Sequence, residues 1–129
     1  MTVARDQEIV RRYQGDGAWA GTEVRPYKND GTLFKDVTRQ NLFDVPDLAC
    51  QWRYFEVGPG GHSTLERHEH VHAVMVVRGQ GNVLVGDEVS PVACYDLVYI
   101  PSLTWHQFRA DDDAPLGFLC LVNHERDRP

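Results

Sequence analysis

The sequence is poor in three features that would assign it quickly to a class of protein. It contains no apolar run near the roughly 20 residues that a membrane-spanning helix requires. Only three of its 129 residues are cysteine. These cysteines, Cys50, Cys94 and Cys120, are widely spaced and form no Cys-x-x-Cys pair, so a disulfide framework is not predicted. We expect them to be small buried apolar residues, with lining of a barrel interior as the alternative for Cys120.

Positive charge is also scarce. Lysine and arginine total 13 against 19 aspartate and glutamate residues, which gives a formal net charge of −6. Nucleic-acid and anionic-membrane partners are therefore not expected, because both require a basic face. The first residues lack the apolar core of a signal peptide, so a cytoplasmic location is the expectation. The length suits a single domain.

Short apolar or alternating segments, separated by clusters of glycine, proline, asparagine and aspartate, dominate the chain. This pattern predicts an all-β sandwich or barrel. The predicted strands lie near 22–27, 37–43, 50–57, 63–68, 72–78, 81–85, 97–100, 105–110 and 116–122. One short N-terminal helix is also predicted, capped by Asp6 and ended by Gly15.

Four of the six histidines fall between residues 62 and 72. Glu66 and His68 are two residues apart and would share one face of a strand. A turn at 69–71 would then bring His72 back at the start of the next strand. With His106 from a later segment, these side chains predict a site for one divalent transition-metal ion, namely Fe, Mn, Ni, Cu, Zn or Co.

Two segments of the sequence resemble the two motifs of the cupin superfamily. Gly60 and Gly79 match the ends of the first motif, and the second resembles the stretch from Tyr95 to His106. Tyr95 and Leu103 stand where the second motif has glycines. The resemblance covers roughly residues 45–123 and implies a double-stranded β-helix, the cupin jelly roll. It divides the chain into an N-terminal arm with edge strands, 1–44, and a barrel, 45–129.

The first motif can be aligned in two registers. One takes His68 and His70 as the His-x-His pair, but it then needs a carboxylate near residue 74, where none exists. The preferred register retains four ligand-type residues: Glu66, His68, His72 and His106. His70 is then expected at the rim, at the surface or as a hydrogen-bonding partner of a ligand. We expect His62 at the opposite end of the barrel and His124 in solvent.

The resemblance implies a metal-dependent enzyme acting on a small organic molecule. Dioxygenase-type oxidoreductase chemistry is the leading expectation, with Glu66 as metal ligand or general base. The alternatives are an isomerase, a decarboxylase, a lyase, or a non-catalytic metal- or ligand-binding barrel serving as sensor or storage protein. The edge strands before residue 44 predict a homodimer. In the strand 50–57, the inward face carries either Gln51 and Arg53 or Trp52 and Tyr54, and either face can anchor a substrate.

Overall fold

The computed structural model describes residues 9–27 and 35–126, and this part of the chain contains eleven strands and no helix. The strands are β1 Tyr13–Gly15, β2 Ala18–Trp19, β3 Arg25–Pro26, β4 Lys35–Phe43, β5 Cys50–His62, β6 His72–Arg78, β7 Gln80–Val85, β8 Glu88–Ala93, β9 Leu97–Ile100, β10 His106–Ala110 and β11 Leu116–Asn123. The all-β prediction is confirmed.

The long strand β5 organises the main sheet, whose order is β8-β7-β10-β5-β11-β6-β9. It pairs with β11 over its first part, from Cys50↔Asn123 to Val57↔Leu116, and with β10 near its end. On its other side β5 also pairs with β4, to which β3 is added. Because β5 pairs with β10, β11 and β4 along its length, the sheet curls around it. The division of the chain at residue 44 stays a prediction.

The apolar core lies inside this curl. Phe55, Phe108 and Phe118 come from three neighbouring strands and stack, with ring centroids 5.7 Å apart for Phe55–Phe118 and 4.1 Å for Phe108–Phe118. Side chains alternate between the faces of a strand. Arg53 therefore shares the inner face of β5 with Phe55, while Tyr54 lies on the outer face.

The outer face is covered by the N-terminal hairpin β1–β2. The Trp19 ring lies edge-on to Tyr54 at 5.1 Å and tilted against Tyr13 at 5.0 Å. Buried Gln40 of β4 donates a hydrogen bond to the Gly17 carbonyl at 2.6 Å. The hairpin is thus fixed to the sheet by aromatic packing and a buried hydrogen bond.

The predicted N-terminal helix is wrong for the residues that the structure describes. The chain bends at Ile9 and Val10 and forms a strand from Tyr13, while Asp6 lies outside the described residues. The apolar spacing that suggested a helix does not mark a buried face, because Ile9, Val10 and Tyr13 are exposed. Tyr13 instead contacts Trp19 across the hairpin. Tertiary contacts here override a weak local preference.

Two strand predictions also need correction. The segment 63–68 is not a continuous strand; it makes a single bridge between Glu66 and His106. Strand β8 was not predicted, because it is largely exposed, contains Pro91 and lacks an apolar pattern. In the described part of the chain no helix is long and apolar enough to span a bilayer.

Candidate metal centre

Three imidazoles converge at one end of the curled sheet. Ligand nitrogens of His68, His72 and His106 all lie within 4.8 Å of one another. His72 and His106 begin strands β6 and β10, whereas His68 lies on the irregular segment before β6. The Nε2 atoms of His68 and His72 are 3.1 Å apart. Ring nitrogens from three separate segments therefore point at a common centre.

The opposite ring nitrogens are held by other groups. His68 Nδ1 lies 2.9 Å from the His70 carbonyl oxygen, and His106 Nδ1 lies 2.9 Å from the Thr104 carbonyl oxygen. A carbonyl can only accept, so each Nδ1 carries the proton and each Nε2 keeps its lone pair. Metal-binding histidines are commonly oriented in this way. The geometry thus prepares two rings for coordination before any ion binds.

Burial favours the neutral form of two of the imidazoles, His72 and His106. It is the main cause lowering the pKa of His72 to about 2, with further lowering from His106 and Arg53. Burial also lowers the pKa of His106. A neutral imidazole is the form that binds metal. The buried three-histidine group can therefore hold an ion, and its nitrogen donors suit Fe, Mn, Ni, Cu, Zn or Co.

Glu66 lies at the edge of this group. Its Oε1 is 4.0 Å from Nε2 of both His68 and His106. This separation is too long for a hydrogen bond, but it leaves room for an ion between the carboxylate and the rings. The backbone bridge between Glu66 and His106 holds the two positions together. Glu66 as a fourth ligand, or as a general base, stays a proposal.

His70 is buried, not at the surface. Its ring stacks on His68 with 3.5 Å between centroids and 5° between planes, and its carbonyl accepts the His68 hydrogen bond. His70 therefore holds the His68 ring in place by stacking and by its carbonyl group. His62 ends β5, with Nδ1 3.1 Å from the Ser63 carbonyl oxygen. His124 pairs with Asp44 at 3.0 Å.

A pocket opens beside the three histidines. It is lined by Tyr27, Val37, Arg53, Phe55, Ser63, Glu66, His72, His106, Phe108, Phe118 and Cys120. The inward face of β5 is thus the one that carries Arg53, which is 5% exposed. This choice was open from sequence because each face of the strand carries both polar and aromatic side chains.

Cys120 is the pocket residue that sequence reasoning undervalued. Its Sγ lies 3.0 Å from His72 Nδ1 and 3.5 Å from Arg53 Nη2. Burial raises the pKa of this thiol, and the Arg53 guanidinium opposes the rise. Cys120 is two residues from Phe118 on β11, and both face inward. That alternation was the one signal in the sequence that placed the thiol inside.

The backbone of both motif segments follows the glycine pattern even where glycine is absent. Gly60 and Gly79 have φ angles of 71° and 67°. Tyr95 and Leu103, which stand at the two glycine positions of the second motif, have φ angles of 74° and 57°. Few non-glycine residues adopt this region. The turns have therefore kept their shape although the side chains have changed.

Known proteins resemble the whole described chain. A curated relative, 1-methylthio-D-xylulose 5-phosphate methylsulfurylase from Rhodospirillum rubrum, is 53% identical over 130 residues, covering 100% of this chain and 83% of the relative. A cupin 2 conserved barrel domain protein from Rhodopseudomonas palustris has a crystal structure with TM-score 0.88 and 59% identity, covering 93% of this chain and 83% of that one.

A second crystal structure, of a cupin-2 domain protein from Rhodospirillum rubrum, gives TM-score 0.84 at 55% identity, with 93% of this chain and 81% of that chain covered. The sequence profile described as the cupin domain matches residues 53–122, a span that includes both motif segments and all three converging histidines. The resemblance inferred from the two motifs is confirmed, and this chain belongs to the cupin family.

Proposed function

We propose that this protein is a metal-dependent cupin enzyme that removes the methylthio group from a small phosphorylated ketose. The observation that carries the proposal is the Cys120 thiol, which lies in the pocket 3.0 Å from His72. The 53% identical relative is named as a methylsulfurylase of a methylthio ketose phosphate. Its name gives no support to the dioxygenase chemistry favoured from sequence, so that expectation is replaced.

The three-histidine group would hold the ion, with Glu66 as the fourth ligand. When bound, such an ion acts as a Lewis acid toward a substrate oxygen, here the ketone oxygen next to the methylthio carbon. Proton transfer and nucleophilic attack would be carried out by side chains of the pocket. Glu66, if released from the ion, would move a proton at that carbon.

In this proposal Cys120 is the nucleophile. Its thiolate would attack the methylthio sulfur, so that an S–S bond forms while the bond between that sulfur and the sugar carbon breaks. The bonding electron pair stays on the carbon next to the ketone, and this carbon then takes the proton that the thiol gave up. The products are a 1-deoxy ketose phosphate and a methyl disulfide on Cys120. An external thiol must then reduce the disulfide for a second turnover.

Two donors favour the thiolate form of Cys120. Arg53 Nη2 points at Sγ from 3.5 Å, and His72 Nδ1 lies at 3.0 Å on another side. If His72 Nε2 binds the ion, its Nδ1 carries the proton and donates it in a hydrogen bond to the sulfur. Adjacent cationic and donor groups lower the free energy of a thiolate. The Arg53 contact opposes the burial that otherwise raises the pKa of Cys120.

The test is turnover of 1-methylthio-D-xylulose 5-phosphate by metal-loaded protein with excess dithiothreitol. We expect the wild type to be active and Cys120→Ala to lose at least about 1,000-fold in rate. Cys94→Ala is the matched control, because Cys94 is exposed and lies outside the pocket. Without dithiothreitol, intact-mass analysis of the wild type should show one added methylthio group.

Two results would contradict the proposal. Full activity of Cys120→Ala would remove the thiol from the chemistry and leave the ion and Glu66 to carry it. No turnover by metal-loaded wild type, at any substrate concentration, would favour the non-catalytic metal- or ligand-binding barrel instead.

A further inference from the structure

A second cavity lies next to the histidine pocket and is lined by three arginines. Its lining residues are Arg11, Gly21, Thr22, Glu23, Arg25, Arg39 and Asn41. The cavity offers about 200 Å³, against about 40 Å³ in the histidine pocket. We therefore expect a sugar phosphate to place its reacting end beside the histidines and to extend beyond that pocket.

Strand pairing shows that the two cavities adjoin. Arg39 and Asn41 of β4 are opposite Phe55 and Arg53 of β5, which line the histidine pocket. Residues directly opposite on paired strands share a face of the sheet. The Arg39 guanidinium also lies 5.5 Å from the centre of the Tyr27 ring, and Tyr27 lines the histidine pocket. Arg39 and Tyr27, one from the lining of each cavity, are thus in contact where the cavities adjoin.

The charge of the second cavity suits an anion. Three guanidinium groups and a single carboxylate line it, in a chain whose net charge is −6. Glu23 accepts from exposed Arg25 at 2.9 Å. Arg11 donates to Thr22 Oγ1 at 3.1 Å, which fixes its position in the wall. Arginine presents several N–H groups in a plane that matches the oxygens of a phosphate.

We propose that this arginine-lined cavity binds the phosphate group of the substrate. The inference rests on the proposed function, because it assumes that the reacting end of the same molecule enters the histidine pocket. Cys120 of β11, Arg53 of β5 and Asn41 of β4 follow one another across the sheet. Two strand spacings amount to about 10 Å, which an extended five-carbon sugar phosphate spans with its phosphate among the arginines.

Binding of D-xylulose 5-phosphate, which lacks the methylthio group, tests the cavity independently of turnover. By titration calorimetry we expect it to bind at least about 10-fold more tightly than unphosphorylated D-xylulose, as charged hydrogen bonds to a phosphate should provide. Arg39→Gln should remove most of this difference and leave D-xylulose binding unchanged. Arg109→Gln, at an exposed position on β10, removes the same charge elsewhere and should have no effect.

Turnover separates the two proposals. Active wild type with a KM for the methylthio sugar phosphate that rises about 10-fold in Arg39→Gln, at unchanged kcat, supports the phosphate site. Active wild type with the same KM in Arg39→Gln as in the control Arg109→Gln would overturn the phosphate site and leave the proposed function standing. Arg39-dependent binding of D-xylulose 5-phosphate without any turnover would overturn the proposed function alone. Equal binding of the two sugars by wild type would overturn the phosphate site.

Discussion

Strand β5 carries buried polar groups on both of its faces, and the two sets are arranged differently. On the outer face Tyr54 donates to Glu56 at 2.9 Å, and Arg78 donates to the same carboxylate oxygen at 2.5 Å. On the inner face Arg53 reaches Cys120 Sγ only at 3.5 Å, and its Nε has no hydrogen-bond partner among the residues that the structure describes.

The difference separates a structural cluster from a binding site. Burial and the Glu56 carboxylate both raise the pKa of Tyr54 well above its ordinary value, so its hydroxyl stays protonated and donates. The polar groups of the outer cluster thus hydrogen-bond to one another. The inner groups point nitrogen and sulfur atoms into a pocket. Buried polar atoms without partners carry a free-energy cost, which a bound ion and substrate would remove.

The largest effect should come from the inner face. His106→Ala removes one of three ring ligands, and we expect metal affinity to fall by more than the about 10- to 100-fold that loss of a ligand's hydrogen-bonding partner costs. Elemental analysis after dialysis measures the bound ion, with about one per chain expected for wild type. Activity toward the methylthio sugar phosphate should be lost with the metal.

His70→Ala is the matched control for His106→Ala. His70 is also a buried imidazole and stacks on His68, yet its ring nitrogens are outside the converging group. The variant keeps the backbone carbonyl that orients His68, so metal affinity should fall by less than about 10-fold. Equal loss of metal in the two variants would instead favour the register in which His68 and His70 form the ligand pair.

The outer face should show an intermediate effect on stability and none on metal. Glu56→Ala leaves the Tyr54 hydroxyl and the Arg78 guanidinium without their common acceptor, and we expect unfolding free energy to fall by about 2 kcal/mol. Urea unfolding measures this loss. Glu56→Gln, which keeps one carbonyl oxygen as acceptor, should lose less. Metal loss in Glu56→Ala would show that the two faces are coupled.

The same comparison shows what the sequence could predict. The convergence of His68 and His72 was predictable, because a turn and the start of a strand bring the two side chains together, whereas His106 was placed by the resemblance to the second cupin motif. The face of β5 that turns inward was not predictable. Arg53 and Tyr54 are both buried, and only the covering hairpin, with Trp19 against Tyr54, distinguishes the two sides.

Long-range packing also explains the errors in the fold prediction. Trp19 of the hairpin β1–β2 packs on Tyr54 of the distant strand β5, a contact that the local spacing near Tyr13 could not predict, and a helix was expected there instead. Strand β8 pairs along β7 through its backbone and needs no apolar pattern. From sequence, a packing role was expected for Cys120 and lining of the pocket was only the alternative, since a buried cysteine in an apolar strand more often has a packing role.

The smallest expected effect concerns the glycine-like turns of the second motif. Leu103 has a φ of 57° and is 57% exposed, so its side chain contributes little burial while its backbone is strained. Leu103→Gly should relieve about 1–2 kcal/mol of strain. Glycine also makes the unfolded chain more flexible, which offsets about 0.4–1 kcal/mol of this gain and leaves a net stabilisation of up to about 1.6 kcal/mol in urea unfolding.

Leu97→Gly is the control for this gain. Leu97 is 74% exposed but belongs to strand β9, where glycine has no strain to relieve and destabilises by about 0.5–1 kcal/mol. Opposite signs for the two variants would show that backbone conformation, not loss of an exposed apolar group, is responsible. The Leu103 amide donates to the His68 carbonyl at 2.7 Å, so the turn also holds a segment of the metal centre. If Leu103→Gly gains stability but binds metal less tightly, the strained backbone of Leu103 holds His68 in position. The turn would then belong to the metal site together with the inner face of β5.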